Sequence, residues 1–518
     1  MTKVKKKRLE KKSISPRSWN LLCAAILIVL TILLYLNSLG GDFVWDDRSL
    51  ILQTPQIQHP ERVLETFAQP LTVFGSNYGY YRPVAMMSLA LDQWTWGGNP
   101  LGFHIMNLIL HLGVVICLYF FFTGLVNWKI GFIASLLFAT FACHVENVAF
   151  ISGRMDILAT LFMVLCLWLY FRKQNPSPFI LAVCALFGLL ALLSKEIAFV
   201  LPVVFVTVLI FFIPRQYWKK HISRGAIFIG MPLIVYAVLR LYAVRIVNPP
   251  VSDVFPLGER LLMIPQTTVL YLQLLIFPFN LNARHVILPP QYSGMSMFVI
   301  MLIVVIAVIA LVVLAARRNK TIAFGAVWFC LGILPVLNII PLRGQVIAER
   351  FLYFPSAGFA LMLAGIAGII HKQKKHTRKP LQIVIWVLLT AVGVSNLIFT
   401  VTRNPVWHNE LRFFSRMVEQ TPDSPLAHHN LGYVYYRQGN YIMAELEYRK
   451  AIELNPTFPD SRATLGDVLT CTGRYEQAVH QYRMYLNLYP DAPNRAKTLE
   501  VIEMLMEEIE RESIEQFK

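Results

Sequence analysis

Charge is scarce in this chain. Only 15% of its 518 residues are Asp, Glu, Lys or Arg, 56% are hydrophobic, and the mean hydropathy is +0.54. A water-soluble domain cannot hide that much apolar surface, so the composition points to an integral membrane protein. Cysteine is sparse where it could act. Six of the seven (Cys23, Cys117, Cys143, Cys166, Cys184 and Cys330) lie in or at the ends of apolar runs, and Cys471 alone belongs to the polar C-terminal region. That region has no pair for a disulfide, and no CxxC or Cys/His cluster has the spacing of a zinc site, so the thiols read as buried and inert. Paired broken helices in related halves, the mark of many secondary transporters, are also missing.

Acidic residues are the scarcer sign, 30 against 47 Lys and Arg, for a net charge of +17. In a soluble protein this surplus would suggest nucleic acid. Here the basic residues sit in short connectors between apolar runs, as the positive-inside rule requires, and no nucleic-acid partner is expected. The start, MTKVKKKRLEKKSISPR, carries eight of them. Leu21–Leu36 is followed by NSLGGDF rather than a cleavage site, so residues 1–18 read as a cytoplasmic basic tail before an uncleaved anchor.

Apolar runs long enough to span recur near 19–37, 103–125, 130–143, 153–171, 178–193, 197–213, 225–242, 297–316, 321–339, 351–370 and 381–402. The third is short and is expected to extend to about 145. Basic connectors follow at Lys129, Arg172-Lys173, Arg215–Arg224, Arg317–Lys320 and Lys372–Lys379. They share one side with the N-terminus if about eleven spans are counted, N-terminus in and C-terminus out. Segment 261–281, with Pro265, Pro278 and two glutamines, is then expected to be a re-entrant or surface-lying helix. The fold class is all-α: a polytopic helix bundle over 19–402 with an external C-terminal region.

That region changes character. From Thr421 it holds 15 Asp/Glu against 10 Lys/Arg. Asn430-Leu431-Gly432 aligns with Thr464-Leu465-Gly466 at an offset of 34, as do Gly439 with Gly473, Tyr441 with Tyr475, Ala444 with Ala478, Tyr448 with Tyr482 and Pro456 with Pro490. This is the tetratricopeptide pattern, small residues marking where helices cross. Repeats over about 427–460 and 461–494, then a capping helix, fill the domain 421–518. The array reads either as a groove for an extended peptide or partner protein, or as a scaffold that supports the membrane domain or a dimer.

The polar clusters fall on the external side of this topology. Loop 38–102 is far longer than an ordinary connector. It carries FVWDDR, with Asp46 and Asp47, and Arg82 follows in YYRPV. Adjacent aspartates are usually a solvated turn. Here Phe43, Trp45, Leu50 and Ile51 are expected to draw them toward the membrane surface, where a carboxylate gains basicity suited to proton abstraction. His144 and Glu146 follow the third span. Arg154 and Asp156 head the next, as boundary charges that are either functional or paired as glue, Arg154 with Asp156 or Glu146. Lys195 and Glu196 sit between two tight spans, and Arg343, Glu349, Arg350 and Tyr353 precede the tenth. His104 and His111 share a face of the second span, where a helical histidine is more often a packing residue than a ligand. Carboxylates suit activation of a hydroxyl, and cations at the boundary suit a lipid-linked phosphate.

The series FVWDDRSLI, YYRPVAMMSLALDQWTWGGNPLGFHIMNLILH, HVENVAFISGRMDILATLF, LLSKEIAFVLP and AERFLYFPSAGF, completed by the repeats, resembles the transmembrane and tetratricopeptide-repeat-containing O-mannosyltransferases. The resemblance covers most of the chain. It implies a glycosyltransferase taking a hexose, such as mannose, from a polyprenyl-phosphate donor and placing it on Ser/Thr hydroxyls of a protein. It maps the catalytic carboxylates onto Asp46, Asp47 and Glu146, with Arg154, Lys195 and Arg350 as candidates for the carrier phosphate. Arg82, His104, His144, Asp156, Glu196 and Tyr353 support them, and no cofactor or metal is expected. The partners implied are the lipid-linked donor, an acceptor or partner protein at the repeats, and membrane lipids. The setting is a bacterial inner membrane with external repeats, or an endoplasmic reticulum membrane with luminal ones. Two repeats are fewer than the animal members carry. A lipid or surface-polysaccharide acceptor is the alternative reading, and a membrane-anchored scaffold without activity is the other.

Overall fold

The computed structural model describes residues 16–73, 76–244, 255–285, 287–339, 347–372 and 379–516. Residues 1–15 of the basic tail, Arg343 and most of the Lys372–Lys379 connector lie outside the described residues. The chain forms two compact units. Asp42–Trp45 groups with Pro405–Lys518, and the remaining residues up to Asn404 form the membrane unit.

Helices α1 (Pro16–Tyr35), α2 (Pro83–Trp96), α3 (Pro100–Leu125), α4 (Trp128–Thr140), α5 (Arg154–Phe171), α6 (Pro178–Leu192) and α7 (Leu201–Phe212) build the first half of the membrane unit. Then come α8 (Trp218–Phe228), α9 (Gly230–Val244), α10 (Leu257–Ile276), α11 (Met295–Ala316), α12 (Lys320–Ile333), α13 (Tyr353–Lys372) and α14 (Lys379–Arg403). Each of the eleven apolar runs is helical. Among the described residues seven helical segments are long and apolar enough to cross a bilayer, and an eighth, 128–148, is bent by 56°. Pro178–Leu192, Glu196–Phe212 and Lys320–Val336 are shorter apolar helices. Segment 261–281, expected to be a re-entrant or surface-lying helix, is helical as far as Ile276 in α10, which runs through Pro265 without a reversal.

Glycine sets the closest packing. α12 and α13 cross backbone to backbone, because a Cβ on Gly325 would stand 2.6 Å from the Gly358 carbonyl and one on Gly358 would stand 2.6 Å from the Gly325 carbonyl. Small residues at such crossings are how apolar helices gain dispersion contact inside lipid.

Loop 38–102 is built rather than irregular. A π-helical turn at Arg48–Leu52, short helices and an antiparallel hairpin, β1 (Leu71–Val73) with β2 (Ser76–Tyr80), lead into α2. The Tyr81 hydroxyl donates to the Phe67 carbonyl at 2.8 Å and pins the hairpin.

In the second unit α15 (Glu410–Gln420) precedes two helix pairs, α16 (Pro425–Arg437) with α17 (Tyr441–Leu454) and α18 (Pro459–Cys471) with α19 (Tyr475–Leu488), and then α20 (Arg495–Gln516). Gly432 packs under Tyr448 and Gly466 under Tyr482, where a Cβ would come within 2.9 and 2.7 Å of the rings. The 34-residue offset therefore repeats one physical contact, a tyrosine seated on a helix glycine. Phe43 and Val44 are buried and Trp45 stacks on Phe413 with centroids 5.6 Å apart. The Asp42 N–H donates to the His408 carbonyl at 2.8 Å. The aromatic flank of FVWDDR is thus used in packing this unit, where a membrane-surface role was expected.

Gly358→Ala is expected to lower the melting temperature of the purified protein. Overpacking at such a crossing costs about 1–3 kcal/mol. Gly124→Ala, with nothing within 4 Å of the added Cβ, serves as the neutral control. Equal melting curves for the two variants would refute the backbone crossing.

Candidate active site

The site begins where the third span breaks. Phe141 is extended (φ −61, ψ 119), so the helix stops and a run of short turns carries Cys143 to Gly153 through buried surroundings. Backbone groups freed from a helix in an apolar environment must find partners. Asn396 of α14 accepts from the Ala142 N–H at 3.0 Å and donates to the Leu275 carbonyl at 2.9 Å, and Thr400 donates to the Thr140 carbonyl at 2.9 Å. On the other side Asn107 of α3 reaches the Val148, Phe150 and Ile151 carbonyls at 3.2–3.3 Å. A Cβ on Gly153 would meet the Glu146 carbonyl at 2.5 Å, so only glycine allows this turn. The bend turns Glu146 toward Arg350, whose N–H donates to it at 2.9 Å and whose guanidinium is ion-paired with it.

The two aspartates of FVWDDR separate in role. Asp47 is 1% exposed and accepts from the Ser152 N–H at 2.7 Å, the Ser152 hydroxyl at 2.5 Å and the Ile151 N–H at 3.4 Å. It staples the first loop to the turn before α5. Asp46 is partly exposed and accepts no hydrogen bond among the described residues. Burial pushes its carboxyl up to about 6, against the pull of Arg350. Near pH 7 it is an ionised but basic carboxylate with free lone pairs, which is what a general base needs.

Three cations form a cluster, of which Arg350 is the one that acts on Asp46. Arg350 and Lys195 both stand over the Phe351 ring, each 5.3 Å from its centre. Lys195 pairs with Asp156 at 2.6 Å. Arg82 lies on the Tyr80 ring at 4.4 Å and pairs with Glu196 at 2.7 Å. Burial pushes the Lys195 ammonium down and Asp156 pulls it back, while the positive charges of Arg82 and Arg350 push in the same direction as burial. Cations held within repulsive reach of one another are suited to an anion shared among them.

The remaining site candidates are closed. Arg154 is 1% exposed and commits its guanidinium to Asp92 at 2.5 Å, Asn107 at 2.7 Å, the Phe103 carbonyl at 3.1 Å and both Ser88 oxygens. That leaves no N–H for a phosphate. Its partner is Asp92 of α2, not the expected Asp156 or Glu146, and burial pushes the Asp92 carboxyl up against the pull of Arg154. His104 is buried beneath Gly41, whose Cβ would stand 2.9 Å from Nε2. His144 bonds Ser356 at 2.8 Å, and the Tyr353 hydroxyl bonds His111 at 2.7 Å, in one aromatic cluster with Phe138. Among the described residues no three metal-ligating side chains converge.

Sequence reasoning passed over Asp92, Asn107, Ser152 and Asn396. The asparagines carried a signal, since a carboxamide inside an apolar run is costly unless it serves a partner. Asp92 and Ser152 carried none apart from the tertiary contacts that use them.

Two family models for the tetratricopeptide repeat match, one over residues 425–458 and the other over residues 447–480. Relatives include protein O-mannosyl-transferase F38B6.6 of Caenorhabditis elegans, 28% identical over 442 residues, covering 82% of this chain and 62% of that protein. Human protein O-mannosyl-transferase TMTC4 is 24% identical over 491 residues (81% and 64%) and human TMTC1 26% identical over 490 (83% and 54%). The chain thus spans less than two thirds of the length of these relatives. Two solved structures align at 13% identity. Archaeal oligosaccharyltransferase AglB from Archaeoglobus fulgidus, in complex with an inhibitory peptide and a dolichol-phosphate, has a TM-score of 0.43 and covers 79% of this chain and 59% of that one. ArnT from Cupriavidus metallidurans, bound to undecaprenyl phosphate, has a TM-score of 0.40 and covers 80% and 81%. The chain resembles tetratricopeptide-containing O-mannosyltransferases over most of its length, as its motifs do.

The two aspartates should part in a melting experiment. A carboxyl whose folded pKa is raised stabilises the fold fully below its unfolded value and loses that contribution as pH rises through about 6. Asp46→Asn is therefore expected to melt higher than the parent at pH 7.5, with the gap closing toward pH 4. Asp47→Ala, which strands the Ser152 donors, is expected to cost about 1.5–3 kcal/mol at pH 7.5. Reversal of that order would contradict the assigned roles.

Proposed function

We propose that this protein is a membrane glycosyltransferase that moves a hexose, mannose by the names its relatives carry, from a polyprenyl-phosphate donor to Ser/Thr hydroxyls of proteins. The reaction inverts the anomeric carbon and takes place on the external or luminal face. The observation that carries the reading is Asp46: a carboxylate with open lone pairs and raised basicity, facing Arg350, which clusters with Lys195 and Arg82.

Asp46 takes the proton of the acceptor hydroxyl as its oxygen attacks the anomeric carbon. The bond from that carbon to the phosphate oxygen breaks, and polyprenyl phosphate leaves with both electrons. Lys195, Arg350 and Arg82 hold the phosphate as its negative charge grows, the kind of stabilisation that often dominates such chemistry. Glu146 positions Arg350, Asp156 positions Lys195, and Glu196 positions Arg82. Asp47 and Arg154 are anchors of this arrangement. The repeats present a protein acceptor, or a partner that delivers one. The setting is the bacterial inner membrane or the endoplasmic reticulum membrane.

The test is transfer of mannose from a synthetic polyprenyl-phosphate mannose to a Ser/Thr peptide by the purified protein, followed by mass spectrometry. Asp46→Asn is expected to cut kcat by 10²–10⁴-fold, the usual worth of a general base. The parent rate should fall tenfold per pH unit below about pH 6. Lys195→Ala should raise KM for the donor more than Asp47→Asn does. Full activity in Asp46→Asn would overturn the base assignment, and transfer only to lipid or polysaccharide would replace the acceptor.

A further inference from the structure

The end of the membrane unit remote from Asp46 carries a second, differently built cationic site. α3 runs from Pro100, at the first-loop end, to Leu125, and at 1.5 Å per residue its 26 residues cover roughly 39 Å. There the α3–α4 and α11–α12 connectors enclose a cavity of about 1080 Å³ lined by Trp128, Lys129, Arg318, Asn319, Lys320 and Trp386, among others. The charge bias assigns this end to the cytoplasm.

Its electrostatics differ from those at the other end. At the candidate active site each of Arg82, Lys195 and Arg350 has a carboxylate partner. The cavity has none. No Asp or Glu occurs between Asp92 and Glu146, between Glu259 and Glu349, or between Glu349 and Glu410, and these stretches supply the whole wall. Among the described residues Lys129, Arg318 and Lys320 form no ion pair. Lys129 lies 5.7 Å from the Trp128 ring centre and Lys320 lies 4.9 Å from that of Phe212. Trp128 is itself stacked on Trp19 at 5.6 Å, so the cationic floor is backed by tryptophan rings, the residue type that favours a membrane–water interface. Lys129, Arg318 and Lys320 are exposed and have no carboxylate partner among the described residues, so an external anion meets three cations with no competing internal charge.

A second feature selects the anion. Trp386 also lines an apolar groove of about 830 Å³ that follows one face of α14 past Val387, Ala391 and Val394. A headgroup cavity and a chain-shaped apolar groove share one wall. Free phosphate uses only the first. An amphiphile with a phosphate and an acyl chain uses both.

We propose that this cavity and groove bind one anionic phospholipid of the cytoplasmic leaflet, its phosphate among Lys129, Arg318 and Lys320 and an acyl chain along α14. Basic pockets between spans on the cytoplasmic side are suited to such headgroups. The site is distinct from the donor site and does not depend on the transferase reading.

Native mass spectrometry of the full chain, titrated with phosphatidylglycerol or phosphatidylcholine, tests it, together with melting curves in either lipid or in inorganic phosphate. One phosphatidylglycerol is expected to bind in preference to phosphatidylcholine and to raise the melting temperature. The K129Q/R318Q/K320Q variant should bind it roughly 100-fold more weakly while melting like the parent in phosphatidylcholine. Ala391→Trp, which fills the groove, should weaken lipid binding alone. If the triple variant does not fold, R318Q on the exposed connector gives the same comparison. Equal binding of both lipids, unchanged affinity in the variants, or equal stabilisation by inorganic phosphate would each overturn the proposal.

Discussion

A helix that stops inside an apolar layer exposes carbonyls and N–H groups that no solvent will satisfy, and the break at Phe141 is the constraint on which the candidate site depends. Asn396 and Thr400 take the groups freed on one side, and Asn107 takes three carbonyls on the other. Asp47 binds the turn before α5. These partners come from the first loop, α3 and α14, so the turn is held from several directions. A side chain such as Glu146 on that turn has one position available, and Arg350 is placed by it. Non-helical backbone is held in one arrangement here because helices on both sides supply its partners.

The charged residues divide by what their partners leave over. Arg154 gives its whole guanidinium to neighbours and is sealed, so it stabilises the junction of α2, α3 and α5 and does nothing else. Arg82, Lys195 and Arg350 are each ion-paired with a carboxylate, lie on an aromatic ring and keep some exposure. A fully desolvated ion pair is costly to build and has no open face, whereas one whose cation keeps a small exposed face can share it with a ligand. The same logic separates the aspartates: Asp47 spends its lone pairs on the fold and Asp46 keeps them.

Legibility in the sequence followed periodicity. The apolar runs and the 34-residue offset are local signals, and each gave an element that the structure contains, down to the tyrosine-on-glycine contact repeated at Gly432 and Gly466. α10 was readable as a helix but not in its course, because one proline and two glutamines are compatible with several paths. The flank of FVWDDR was read as membrane-seeking on hydrophobicity alone. An apolar side chain does not say which apolar surface it will cover, and Trp45 covers Phe413.

The sequence by itself determined that this is a membrane protein of the all-α class with a repeat domain, though not the small hairpin in its first loop, and it marked the loops where chemistry could reside, since hydropathy, charge bias and period are sums over neighbouring residues. Only the tertiary structure decided which charges are anchors and which are available. Asp92 meets Arg154 across a separation of 62 positions, Glu146 meets Arg350 across 204, and Asp47 meets Ser152 across 105. Ion pairing and hydrogen bonding act over a few ångströms in space, and nothing in the order of residues along the chain encodes which distant partner will arrive within that range.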